Sequence, residues 1–324
     1  MVTIIIPHRP DESIAGTVAR LSKMKYPKAC IEIYGVSGNQ PSAQRNACIR
    51  KAKGDIIYFI DNDSEVTPGN IMHAVELFAR DPKIAVIGGP NVAKSSDSAL
   101  QKAFSAALTS PFGAGPVANR YRTSGGIRET TDRELILCNL FVRRSVLMKE
   151  GLFKEDFYPN EENELMDRLR VAGYKLYYHP DIIVHRSPRA TMASFIKMLL
   201  NYGRGRFQQL AHAPRIQNAT FLIPAFFVLY LASFAAVPFI PVAMSFKLLY
   251  CIPLMLWALL AVVASILTRA TLLRTRHILT MMPMLFFVIH FFYGVGIFYG
   301  VIRYAFRKKI SIRFTIKKIK PLAQ

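Results

Sequence analysis

The chain has 324 residues, with 42 Lys and Arg against 21 Asp and Glu, a formal net charge of +21. No acidic residue follows Asp181; the 143 residues beyond it hold 18 Lys and Arg, while residues 1–181 carry only about +3. Such basicity can signal nucleic acid, but here the basic residues flank long apolar runs, which points to anionic membrane lipids and away from nucleic acid as a partner.

In chain order, residues 2–6 read as a short apolar strand that stops at Pro7, followed by a helix over 13–24 and a second strand over 31–36. The loop Ser37-Gly38-Asn39-Gln40-Pro41 leads to a helix running to Lys53, with Ser42 as its cap and Gly54 at its end. Residues 56–60 predict a third strand, apolar throughout, which ends at Asp61 and Asp63. Two carboxylates at a strand end can face a divalent cation and the diphosphate it neutralises. An ordinary acidic turn explains the same pair. Thr67 and Pro68 suit the start of a helix to Arg80, and residues 84–88 a fourth strand. Strands alternating with helices imply an α/β domain with a mostly parallel sheet, whose ligands bind beyond the carboxyl ends of the strands.

From 95 to 132 the pattern loosens into a stretch rich in Gly, Pro, Ser and Thr, with Arg120, Arg122 and Arg128 as candidate phosphate contacts. Strand-like segments follow at 135–142, 175–179 and 182–185, around a helix over 161–172. That helix opens on Glu161-Glu162-Asn163-Glu164. Acids in a first turn suit the helix dipole. Three so close also raise a pKa, which suits a general base. His185 ends a strand, as either a structural residue or a cation contact. The four cysteines show no metal spacing and read as reduced thiols.

Residues 189–217 mix Lys197, Arg204 and Arg206 with Met192, Phe195, Leu199 and Phe207, as an amphipathic interfacial helix does. Arg204 and Arg206 there suit either a carrier diphosphate or bulk anionic lipid. Three apolar runs follow at 219–240, 246–268 and 278–302, each about 20 residues, the length of a membrane crossing. The domain plan is therefore 1–188 catalytic, 189–217 interfacial, 218–303 membrane and 304–324 a basic tail. Met1 leads straight into a strand, so the reading expects no signal peptide and a hydrophilic part that stays cytoplasmic, at the plasma membrane. Three complete crossings would put the basic tail outside, against the positive-inside rule. The third run, with Pro283, His290, Gly294, Gly296 and Gly300, is therefore expected to be either spanning or re-entrant, with re-entry keeping the tail inside.

The order strand–Pro, Gly-Asn-x-Pro-Ser-x-Gln-Arg-Asn, Ala-x-Gly-Asp, Asp-x-Asp, Glu-Glu-x-Glu-Leu-x-x-Arg-Leu-x-x-x-Gly and Tyr-x-Pro-x-x-x-x-His resembles glycosyltransferase family 2 over about residues 1–210. The segments Tyr202-Gly203-Arg204-Gly205-Arg206 and His290-Phe291-Phe292-Tyr293-Gly294-Val295-Gly296 resemble its branch of succinoglycan-type exopolysaccharide transferases. The resemblance implies a GT-A (Rossmann-like) fold, inversion at the sugar, a nucleotide-diphospho-sugar donor and Mn²⁺ or Mg²⁺. By position it implies that Pro7, His8, Arg9, Asn39, Arg45 and Asp61 border the nucleotide. Asp61, Asp63 and His185 fall at the metal, and Glu162, with Glu161 before it, takes the place of the catalytic carboxylate. Two departures stand out. Val36-Ser37-Gly38-Asn39 replaces the Asp-Asp-Gly-Ser that reads uracil, and the base is Glu where the family has Asp.

The membrane part suggests a lipid-linked acceptor, a sugar on polyprenyl diphosphate, for the assembly of a cell-surface polysaccharide or glycan. A polyprenyl-phosphate sugar synthase is the alternative within the enzyme class, and an inactive membrane scaffold the alternative outside it.

Overall fold

The computed structural model describes residues 1–212, 214, 216–241, 243–272, 276–306 and 313–319. In chain order the first elements are β1 (Val2–His8), α1 (Ala15–Leu21), β2 (Ile31–Gly38), α2 (Pro41–Lys51), β3 (Ile56–Ile60), β4 (Glu65–Val66) and α3 (Asn70–Arg80). Then come β5 (Ile84–Gly88), β6 (Asn91–Val92), α4 (Ala99–Thr109), α5 (Pro111–Ala114), β7 (Arg128–Thr130), β8 (Asn139–Arg143), α6 (Arg144–Glu150) and α7 (Glu161–Val171). The chain continues through β9 (Lys175–Tyr178), β10 (Val184–His185), α8 (Met192–His212), α9 (Ile223–Ser233), α10 (Met244–Leu272), α11 (Arg276–Ala305) and β11 (Phe314–Ile319).

Two units result. The first holds Met1–Ser96, Asn119–Ser187 and β11; the second holds Asp97–Ala118 and the chain from Pro188 through α11. In the first unit an eight-stranded sheet runs β11-β2-β1-β3-β8-β5-β9-β7, beside a small sheet β4-β10-β6. Strands β2, β1 and β3 are parallel, as are β5 and β9, while β8 lies antiparallel between β3 and β5, so the sheet is mixed. The central strands are apolar at nearly every position because both faces are covered. Ile5, Ile57, Phe59 and Leu140 enter one core; Ile4, Ile6, Tyr58 and Phe141 enter the other. That two-residue alternation is the strand period made visible.

Local starts differ from the expected caps. Gln40, not Ser42, caps α2, its side chain accepting from Ala43 N at 2.6 Å with Pro41 in the first turn. Helix α3 begins at Asn70, one turn past Thr67 and Pro68. The basic tail expected over 304–324 contains β11, which pairs antiparallel with β2. The cations Arg307, Lys308, Lys309 and Lys320 of that tail lie outside the described residues. Gly38 admits β11, since a Cβ there would come within 2.7 Å of Arg313 O.

In the second unit, the stretch that seemed to loosen after residue 95 forms α4, opened by a capping box between Ser98 and Gln101. Phe104 of α4 stacks on Phe195 of α8 with ring centroids 4.1 Å apart. The apolar run at 219–240 is not a single helix. A 3₁₀ turn (Ile216–Leu222) precedes α9, and another (Val237–Phe239) follows it. Helices α10 and α11 are long and apolar enough to cross a membrane, over Met244–Thr268 and Thr280–Ala305. At 1.5 Å per residue each exceeds the roughly 30 Å hydrocarbon core. Leu249, Ile252, Met255, Leu256, Leu259 and Val263 of α10 are all exposed, and exposed apolar patches mark membrane or protein contacts.

Helix α11 is continuous, so its glycines do not mark re-entry. They let α8 approach: a Cβ on Gly203 would lie 2.1 Å from Tyr293 O, and one on Gly296 2.4 Å from Leu200 O. Small residues permit this close packing. Helix α8 is therefore a packed member of the unit along that face. His290 ties the same unit together, accepting from Trp257 Nε1 at 3.0 Å and donating to Phe112 O at 2.8 Å.

Candidate active site

All of the site described next lies in the first unit. Strand β3 ends in the turn Asp61–Ser64, closed by Ser64 N donating to Asp61 O at 3.2 Å. The local turn is real, and the carboxylates have further partners. Arg186 spans them: its Nε lies 2.6 Å from Asp63 Oδ1 and its Nη1 3.2 Å from Asp61 Oδ2. Arg45 reaches the other oxygen of Asp61, Nη2 to Oδ1 at 3.9 Å, and with Nη1 holds Glu161 Oε1 at 2.9 Å. One guanidinium thus joins the acidic pair after β3 to the glutamates that open α7.

Why Arg45 sits there follows from its neighbours on α2. Gln44 Nε2 donates to Val36 O at 2.6 Å and His8 O at 3.1 Å, holding the ends of β2 and β1. Asn46 Nδ2 donates to Phe153 O at 2.8 Å, and Asn46 Oδ1 accepts from Phe153 N at 3.0 Å. All three of these consecutive polar residues are buried. Buried polar groups keep hydrogen-bond partners, so each fixes α2 against a different part of the cleft.

Glu161 is almost fully buried. Burial and the adjacent Glu162 charge push its pKa up to about 7, against the pull of Arg45. Glu162 is half-buried, and among the described residues no hydrogen bond or ion pair holds its carboxylate. The start of α7 is fixed from outside by Arg120, which donates to Asn163 Oδ1, Asp132 O and Arg133 O. Asn160 before it takes a left-handed backbone, φ 99°. Cys138, buried beneath, reports the convergence. Burial pushes its thiol up to about 12, with Asp61, Asp63 and Glu162 adding to the rise and Arg186 opposing it.

The other expected residues are placed as follows. His185 pairs across the small sheet with Glu65, whose carboxylate pKa is lowered chiefly by Lys94 and also by His185. The next residue along, Arg186, just past β10, faces Asp61 and Asp63 instead. Among the described residues no three His, Cys, Asp or Glu side chains gather as a metal cluster. Asn39 is engaged by the C-terminal strand, its Oδ1 accepting from Arg313 N at 3.1 Å. Pro7 and His8 close β1 beside β2, His8 Nδ1 donating to Arg9 O at 2.8 Å, and Arg9 is exposed with its backbone N on Glu12 Oε2.

Arg120 is buried and bonded to α7 and the loop before β8, and Arg122 Nε donates to Asn119 Oδ1 at 2.9 Å. Arg204 and Arg206 belong to the second unit. Arg206 is buried, with its guanidinium 3.7 Å from the Phe221 ring and bonded to Gln209, rather than spread on lipid. Sequence reasoning missed Arg186, Gln44 and Glu12. Glu12 accepts from Asn62 Nδ2 at 3.1 Å and so steadies the Asp-x-Asp turn.

A cation fits between Asp61 and Asp63, because one already stands there: the Arg186 guanidinium touches both. Their hard oxygen donors suit Mg²⁺ or Mn²⁺, which reach nucleotides through one or two carboxylates plus phosphate.

Residues 11–149 match the sequence model of Glycosyl transferase family 2. This part of the chain is similar to that family's domain, and the fold around it is GT-A. The mannosyltransferase PcManGT from Pyrobaculum calidifontis, solved in complex with GDP-Man and Mn²⁺, superposes with a TM-score of 0.58 at 15% identity, covering 95% of this chain and 88% of that one. A dolichyl N-acetyl-alpha-D-glucosaminyl phosphate 3-beta-D-2,3-diacetamido-2,3-dideoxy-beta-D-glucuronosyltransferase of Methanococcus voltae is 23% identical over 180 residues, 54% of each protein. The match spans about half the length of that relative.

Proposed function

We propose that the protein is an inverting glycosyltransferase that moves a sugar from a nucleotide-diphospho-sugar to a polyprenyl-linked acceptor at a membrane, with its catalytic unit cytoplasmic. The observation that carries the reading is the double reach of Arg45, which joins Asp61 to Glu161 and so brings the nucleotide end of β3 and the carboxylates of α7 into one place. The dolichyl-linked substrate named for the archaeal relative and the two long apolar helices support the lipid-linked acceptor. The GDP-Man and Mn²⁺ of the mannosyltransferase support the donor class and a divalent cation.

The chemistry assigns roles by environment. An acceptor hydroxyl is a weak nucleophile at neutral pH, and a carboxylate about 3 Å away takes its proton as attack proceeds. Glu162 has the exposure for that role. Glu161, buried and tied to Arg45, positions it. Attack from the face opposite the leaving nucleoside diphosphate inverts the anomeric carbon. Asp61 and Asp63 would hold Mg²⁺ or Mn²⁺, which when bound neutralises charge developing on the leaving diphosphate.

Purified protein with Mn²⁺ or Mg²⁺, offered UDP-, GDP- and dTDP-sugars and a lipid-linked acceptor pool, tests the reading. Glu162→Gln is expected to lower transfer by about 10²–10⁴-fold, the usual span for a lost general base, and to leave donor binding intact. Equal loss of donor binding makes Glu162 a ligand instead. Transfer that survives the change points to an acceptor already ionised, a polyprenyl phosphate, which needs no base.

A further inference from the structure

Asp63 and Asp61 are answered by a side chain of this chain, and the way they are answered has a functional consequence. The Arg186 fork lies across both carboxylates, 2.6 Å from Asp63 Oδ1 and 3.2 Å from Asp61 Oδ2. Asp61 has a second cation, Arg45, at 3.9 Å. For the Asp63 carboxylate, Arg186 is the cation within 4.0 Å among the described residues; Lys94 meets the Asp63 backbone oxygen and pairs with Glu65. The oxygens a divalent ion needs are therefore the ones Arg186 now holds.

We infer that Arg186 is the resident counter-cation of the Asp61–Asp63 pair, yields Asp63 when the donor's divalent ion arrives, and transfers its guanidinium to the donor diphosphate. This rests on the nucleotide-sugar reading given above. Two cations cannot share the Asp63 oxygens, since like charges a few ångströms apart repel by several kcal/mol at an effective dielectric of about 20. The displaced group does not lose its function. A guanidinium presents a planar fork that matches phosphate oxygens in pairs, and the diphosphate that arrives with the ion lies where the two carboxylates point. Asp61, still faced by Arg45, keeps a partner through the exchange. The device offsets charge on the empty acidic pair and makes metal and diphosphate binding cooperative, because the diphosphate offers Arg186 the place that the ion takes from it.

The test uses the full-length protein in detergent with Mn²⁺ alone as the first probe and inorganic pyrophosphate as the second. Arg186→Ala is expected to bind Mn²⁺ alone about tenfold more tightly than the natural chain, a difference of about 1.4 kcal/mol, and to bind pyrophosphate about tenfold more weakly at saturating Mn²⁺. Arg186→Lys keeps the charge but cannot span both carboxylates, so its Mn²⁺ affinity falls between the two; it carries the test if the alanine variant does not fold. Unchanged Mn²⁺ affinity in the Arg186 variants, with loss in Asp63→Ala, overturns the inference and leaves the cation site standing. Mn²⁺ binding that Asp63→Ala does not weaken removes the cation site itself, and with it the donor reading's use of the acidic pair.

Discussion

Arg45 and Arg186 flank Asp61 from opposite sides, one on each carboxylate oxygen. Beyond Arg45, Glu161 is the carboxylate on which burial and attraction pull apart. Its pKa rises from the ordinary 4.5 to about 7, because burial and the neighbouring Glu162 outweigh Arg45. The folded protein therefore binds the Glu161 proton more tightly than the unfolded chain does. Stability from that proton is complete below about pH 4.5 and is lost as pH rises through about 7. Glu161→Gln keeps an oxygen for Arg45 without the titration. Measured as thermal midpoints at pH 5 and pH 8, the natural protein is expected to lose ground to this variant as pH rises. A gap that is constant, or that moves the other way, would show that the ion pair with Arg45 dominates.

At the scale of elements, what the sequence makes legible is what local pattern controls. The runs that became β1, β2, β3 and β5 are apolar on both faces, and the Asp-x-Asp after β3 and the acidic opening of α7 fall at element ends, where ligands bind. Arg186 was not legible, because its partners lie 123 and 125 residues earlier and an arginine after a histidine looks like any solvated charge. The break in the first apolar run was hidden by composition, though Pro224 stands where α9 begins. Strand β11 was hidden most fully. Phe-Thr-Ile-Lys-Lys-Ile reads as a basic tail until β2 supplies a partner: Lys318 Nζ meets the buried Glu32 Oε1 at 2.7 Å, and Thr3 and Lys53 donate to the same side chain. Burial raises the Glu32 pKa, but these donors outweigh it and the net shift is downward. An unpaired sheet edge is open to exchange and to aggregation. In a chain ending at Phe306, amide exchange in β2 is expected to accelerate while β3, two strands further in, stays protected. Unchanged exchange in β2 would show that β11 does not cover this edge in solution.

At the scale of the whole molecule, β11 constrains the number of crossings. It pairs with β2 in the same sheet as β1, so the chain after α11 must return to the side of any membrane on which it began. An even number of crossings does this, and an odd number cannot. Among the described residues, helices α10 and α11 are the two long enough, whereas the apolar helix before them covers only Asn218–Ser233. At 1.5 Å per residue its 16 residues fall short of a core of about 30 Å. The conflict with the positive-inside rule disappears if that run is not a crossing. Without it, the cations after α11 stay with those before α8, on one side. The glycines of α11 agree, since they serve contact with α8 along an unbroken helix. Tags placed at the two ends of the chain are therefore expected to be cut together, or spared together, by a protease added outside sealed vesicles. One tag cut while the other is spared would require an odd number of crossings, and β11 could not then reach β2 in the membrane-bound protein.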